Sequence, residues 1–267
     1  MREWVEQFPL LPSAIIVVGG IVLVSIMLGQ LTQRLVKNRE VLREHNELAG
    51  FIFAVIGVIY AVLLAFIAIG VWERFATAEA RTYDESGQIL VVYRDSEAFA
   101  GSNELRRDLR HYVETIITQE WPALRNAREA VGIASGQVTR IARTIGELDP
   151  KSDRQRAIYS NMLSAFSNML SDRDERLSED ITGLNGVVWW VVFFGAVTTI
   201  GFTYLFGFKS ARMQAAMIGA LAALIGMVIF LMLSMDYPFQ GNIQVKPEAF
   251  HHLLLDFDNI DKFEGHS

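Results

Sequence analysis

LAGFIFAVIGVIYAVLLAFIAIGVW, residues 48–72, holds 25 positions without a charged side chain and runs directly into Glu73 and Arg74. At about 1.5 Å per residue, a helix of that length crosses a hydrocarbon core of about 30 Å. Such a stretch is a membrane helix. Gly50, Ala54, Gly57, Ala61, Ala65 and Ala68 recur at steps of three and four. They form one narrow small-residue stripe, a helix-packing surface on which another backbone can come close. Ile52, Val55, Ile59, Val62, Phe66 and Ile69 form a bulky face that leads to Glu73. That face meets either lipid or the wall of a pore.

Working outward from this helix, an apolar run from Ala14 to Leu28, extended by Leu10, Leu11 and Leu31, predicts a first span. The residues before it are not basic and no small-x-small site follows, so a span is expected rather than a cleaved signal. Gly19, Gly20, Ser25 and Gly29 supply close-approach positions, expected to pack on the second span. Arg34, Lys37, Arg39 and Arg43 crowd the connection 31–47, which the positive-inside rule places in the cytoplasm. Residues 186–235 predict two more spans, Val187 to Phe208 and about Ala215 to Met235, joined by a turn carrying Lys209 and Arg212 on the same side. Gly195, Ala196, Gly201 and Gly207 in one, and Ala216, Gly219, Ala220, Ala223 and Gly226 in the other, suit a close hairpin. Trp72, Trp189, Trp190 and Tyr237 fall at the opposite interface, where amphipathic rings sit. Both termini and residues 73–185 are therefore expected outside the cytoplasm.

Residues 73–185 read as helices. The second span is expected to continue as a stalk to Phe99, before Gly101-Ser102. A helix capped at Ser102 or Asn103 carries Leu105, Leu109, Tyr112, Val113 and Ile116 and is expected to break near Trp121-Pro122. Another is expected from about Pro122 to Leu148. A further one, starting after Asp149-Pro150 or at Ser152, presents Ile158, Met162, Ala165, Phe166, Met169 and Leu170 at helical spacing. The tail, 236–267, holds an amphipathic helix opened by Pro247 and expected to run to about Phe257.

Bulk properties narrow the function classes. Mean hydropathy is +0.27 with 20% charged residues, so a polar domain is inserted among spans. A net charge of −6 argues against nucleic acid as a partner. With no cysteine, thiol chemistry and cysteine-ligated metal sites are excluded. No ionisable residue lies deep in a span, which argues against a proton relay. His251 and His252 are adjacent, so their rings cannot share a helix face, and His111 has no nucleophile at a matching spacing. Asp172, Asp174, Glu175, Glu179 and Asp180 lack the glycine and spacing of a calcium loop; Asp172, Arg176 and Asp180 are expected to pair along one helix. No catalytic residue, metal or cofactor is therefore expected. Glu73 on the bulky face would favour cations in a pore, and Arg74, about 100° round the helix, would favour anions if it faced the axis.

His45 to Phe51 (HNELAGF), Gly57 to Phe66 (GVIYAVLLAF), Val71-Trp72-Glu73, Glu120-Trp121-Pro122, Phe202 to Gly207 (FTYLFG), Asp236-x-Pro238-Phe239-x-Gly241 and Pro247-Glu248-x-Phe250 together resemble the bacterial bestrophin-like family, over the whole chain. The resemblance implies likeness to bestrophins, pentameric anion channels whose second transmembrane helix lines a hydrophobic pore. Two features depart from bestrophins: the helical domain is expected outside the cytoplasm, and no acidic calcium clasp is present. The expectation is an all-α integral membrane protein of the bacterial inner membrane, with four transmembrane helices and an extracytoplasmic helical bundle between the second and third. Its expected partners are copies of itself, the lipid bilayer and small inorganic ions. A homo-oligomeric channel is the first function expected; a scaffold or sensor whose outer bundle binds a partner or ligand is the other.

Overall fold

The computed structural model describes residues 10–35, 45–126, 130, 132–181, 183–208 and 210–264, and among these every regular element is a helix. Lys37, Arg39, Arg43 and Lys209, on which part of the expected orientation rests, lie outside the described residues. The chain divides into two compact units. One comprises Met1–Glu73, Gly183–Asp236 and Gly241–Ile243, and the other Arg74–Thr182, Tyr237–Gln240 and Gln244–Ser267.

The first unit contains α1 (Leu10–Leu35), the N-terminal half of α2 (Asn46–Asp95), α7 (Gly186–Phe202) and α8 (Ala211–Met235). Among the described residues, four helices are long and apolar enough to cross a membrane: α1, α2 with its short extension to Ala98, α7 with its extension to Leu205, and α8. The expectation that α1 packs on the second span needs correcting, because its main contact is α8. Ser13, Ser25, Gly29 and Gln33 are buried at multiples of four residues, while Gly19 and Gly20 are open. The close approach comes from glycine. A methyl group at Gly219 would stand 3.3 Å from Ile26 Cδ1, and one at Gly29 only 2.6 Å from Ile218 Cδ1.

α2 meets α7 through Tyr60, whose hydroxyl donates to the Val192 carbonyl at 2.9 Å and whose ring occupies the space over Gly195. α7 ends at Phe202, short of the expected Phe208, and passes through a 3₁₀ turn, Thr203–Leu205, into extended backbone at Phe206. The backbone carbonyls just past that ending are taken by side chains. Gln33 Nε2 donates to the carbonyls of Tyr204 (3.3 Å) and Phe206 (3.1 Å). Asn46 pairs in both directions with the Gly207 backbone, at 3.0 and 2.9 Å.

The second unit holds the rest of α2, then α3 (Asn103–Thr115), α4 (Trp121–Arg125), α5 (Ser135–Gly146), α6 (Asp153–Ile181) and α9 (Glu248–Glu264). A 3₁₀ turn, Ser96–Ala98, follows α2, and Gly101 with φ +87° reverses the chain, as expected near Gly101-Ser102. Ile89, Val92, Leu105, Leu109, Val113, Ile141, Met162, Met169 and Phe250 fill the core. No break occurs at Trp121-Pro122. A π-helical turn, Ile116–Glu120, joins α3 to α4 and leaves Pro122 in the first turn of α4, where its missing N–H leaves no bond unmade. The helix expected over 122–148 is instead α4 and α5, separated by residues 126–134.

Ser152 and Gln155 form a reciprocal cap at the start of α6. Ser152 Oγ accepts from Gln155 N at 3.1 Å, and Gln155 Oε1 accepts from Ser152 N at 3.3 Å. α9 runs seven residues past the expected end because its last turns are tied down. Tyr93 donates to Asp261 at 2.7 Å, Arg110 donates to Asp258 at 2.8 Å, and the Tyr93 and Phe257 rings stack at 3.8 Å. Burial and the Asp261 carboxylate push the Tyr93 hydroxyl up to about 12.

Candidate functional site

The apolar half of α2 has three faces. Tyr60, Leu64 and Val71, at steps of four and seven, are buried against the chain's own helices, with Phe53, Leu63 and Ile67 half-buried beside them. The bulky face is open: Ile52, Val55, Ile59, Val62, Phe66 and Ile69 range from 42% to 70% exposed, and Glu73 beyond them is exposed. On the small stripe, Ala54, Ala61 and Ala65 are exposed and Gly50, Gly57 and Ala68 half-buried. At 100° per residue, that stripe sits roughly 90° from the buried face and the bulky face roughly 130° from either. Within one chain, then, the small stripe is not the main packing face of α2, although a methyl group at Gly50 would stand 4.0 Å from the Phe206 ring. The glycine that admits the contact is Gly195 on α7, because Tyr60 carries a ring that needs the room.

In the second unit, charged side chains enter the core. Arg176 is fully buried, donating through Nε to Glu85 Oε2 at 2.6 Å and through Nη2 to Glu120 Oε1 at 2.6 Å. Arg173 Nη2 stands 2.7 Å from Glu120 Oε2, and Tyr112 donates to Glu85 Oε1 at 2.7 Å. The Arg176 guanidinium lies over two rings, 5.2 Å from the Trp121 centroid and 5.6 Å from that of Phe250. Two arginines and two glutamates leave no net formal charge. Burial opposes ionisation of Glu120, but Arg176 and Arg173 outweigh it and hold its carboxyl below the ordinary range. Burial likewise opposes the charge on Arg176, and Glu85 and Glu120 overcome it, so the guanidinium titrates above its usual value. Burial, followed by the charge of Glu85, holds the Tyr112 hydroxyl well above its normal range. The cluster joins α2, α3, the π turn and α6 through charge-assisted bonds.

The chain matches the Bestrophin-like domain over residues 19–250. It belongs to that family. None of the curated proteins compared with it matches. The matched residues run from within α1 into the first turn of α9, and so include both the open face of α2 and the buried charge cluster.

For this bestrophin-like protein, the expected Asp172–Arg176–Asp180 ladder needs correcting. Arg176 turns inward to Glu85 and Glu120, while Asp172 faces Arg81 at 3.2 Å; the Asp180 side chain lies outside the described residues. Burial raises the Asp172 carboxyl, with Asp84 next in effect. His111, His251 and His252 are exposed, and among the described residues no group of three His, Cys, Asp or Glu side chains could hold a metal ion. The cluster escaped sequence reading, although a signal exists. Glu85 shares the stripe of Ile89 and Val92, Glu120 continues Leu105, Leu109, Tyr112 and Ile116, and Arg173 and Arg176 continue Met162, Phe166 and Met169. A charge at core spacing on three helices at once marks a buried network.

Proposed function

We propose that this bestrophin-like protein is a homo-oligomeric ion channel of the bacterial inner membrane, with α2 of each subunit lining the conduit. The observation that carries the reading is the bulky face of α2, which stays exposed among the described residues and ends in a charge at Glu73. In a ring of copies, Ile59, Val62 and Phe66 form a hydrophobic constriction and the small stripe of Ala54, Ala61 and Ala65 receives a neighbouring helix. The basic residue Arg34 at the end of α1 supports a cytoplasmic 31–47 connection, with both termini and the bundle outside. No catalytic step, metal or cofactor is assigned to the chain.

Likeness to bestrophins favours anions, and Glu73 on the conduit face favours cations; five copies are the subunit number the likeness favours. Ile59→Ala, Val62→Ala and Phe66→Ala each widen the constriction and raise unitary conductance or open probability of the reconstituted protein. Unchanged currents in all three remove that face from the conduit. A monomer or tight dimer in detergent, without an axial cavity, turns the reading to a scaffold or sensor that works through the bundle.

A further inference from the structure

We infer that a cavity in the second unit binds a small organic anion, an apolar ring-sized body bearing a carboxylate. The cavity measures about 550 Å³ and lies among α4, the segment Gln244–Pro247 and the first turn of α9. That volume suits a small-molecule site. Its floor is apolar and fixed. Trp121 and Val245 are buried, and the Trp121 indole N–H donates to the Val245 carbonyl at 3.3 Å. Phe239 and Phe250 meet the indole edge-on at 5.4 and 5.8 Å, so the ring cannot swing aside without breaking both contacts.

The rim of the cavity is basic. Arg125, Lys246 and His251 line it, and among the described residues no aspartate or glutamate does. Lys246 has only the exposed Glu248 nearby, 3.9 Å from Nζ, and Arg125 has no ion pair among the described residues. An arginine fork beside a lysine matches the two oxygens of a carboxylate, and the indole floor matches an apolar ring behind it. An inorganic anion would leave the floor unfilled. The same indole also carries the Arg176 guanidinium, 5.2 Å from its centroid. The inference is independent of the channel reading.

Calorimetric titration of the full-length protein in nanodiscs, with sodium benzoate, benzamide and inorganic phosphate as probes, tests it. Benzoate is expected to saturate at one per chain, with benzamide and phosphate each at least about tenfold weaker. Arg125→Gln and Lys246→Gln change exposed side chains, so the thermal midpoint holds while benzoate affinity falls about tenfold in each. Absence of benzoate binding, benzamide or phosphate binding as tight as benzoate, or an affinity unchanged in Arg125→Gln overturns the inference.

Discussion

Residues 48–72 of α2 carry no charge and leave one broad apolar face uncovered among the described residues, whereas residues 74–95 of the same helix bury Glu85 completely among three other elements. The first stretch is held by a few contacts in which room decides: Tyr60 over Gly195, and Phe53 against Phe202 and Phe206. The second is held by an ordinary apolar core with ionic bonds through its middle. Apolar side chains slide over one another at little cost, while an arginine between two glutamates has one position. One half of the helix is thus left free to meet another molecule, and the other half has its register fixed.

Removing one member of the charge cluster gives the largest expected effect. Arg176→Leu leaves Glu85 and Glu120 buried without their cation and should lower the unfolding free energy of the bundle by about 3–5 kcal/mol in a urea titration. Replacing Glu85, Glu120, Arg173 and Arg176 together with apolar residues of similar volume should lose far less, since no charge is stranded. A small effect of Arg176→Leu alone would mean that the cluster does not hold the bundle.

Two glycine substitutions sharpen the contrast along the apolar half. Gly195→Leu collides with the Tyr60 ring and should destabilise the folded chain by about 1–3 kcal/mol. Gly57 has open space within the chain, so Gly57→Leu should leave chain stability within about 0.5 kcal/mol while loosening the oligomer, as read by light scattering in detergent. Loss of chain stability in Gly57→Leu would make the small stripe an internal contact after all.

Acid acts on the bundle through Glu120. Its folded-state pKa is depressed, so its stabilisation is present above the unfolded value of 4.5 and is lost as pH falls through the folded value. Unfolding free energies measured from pH 7 to pH 3 should decline below that point, and Glu120→Gln should flatten part of the slope. The smallest effect belongs to Ser152→Ala, which removes the α6 cap and should cost about 1 kcal/mol.

The helix positions were largely legible in the sequence because hydrophobic runs and caps are local. Residues 48–72, the Gly101 reversal and the Ser152 start of α6 all announce themselves within a few residues. The end of α7 at Phe202 was not legible, since the carbonyls of Tyr204 and Gly207 just past it are satisfied by Gln33 and Asn46 from far along the chain. Nor was the passage through Trp121-Pro122, where proline reads as a break unless a wider turn precedes it. The face of α2 that packs within the chain was hidden for a similar reason. Small residues mark where a helix can be approached, and Tyr60 is approached by a glycine on another helix. Local spacing offers Arg176 only Asp172 and Asp180 along its own helix, because its partners Glu85 and Glu120 lie 91 and 56 residues away.

The central claim is that the uncovered face of α2 lines an ion pathway. Planar-bilayer recording of the purified protein under a salt gradient, with Glu73→Gln beside the unaltered chain, tests it most directly. Discrete unitary currents whose reversal potential shifts in Glu73→Gln are the predicted result. Reproducible silence from protein shown to be folded and inserted, or currents whose selectivity ignores Glu73, would contradict it.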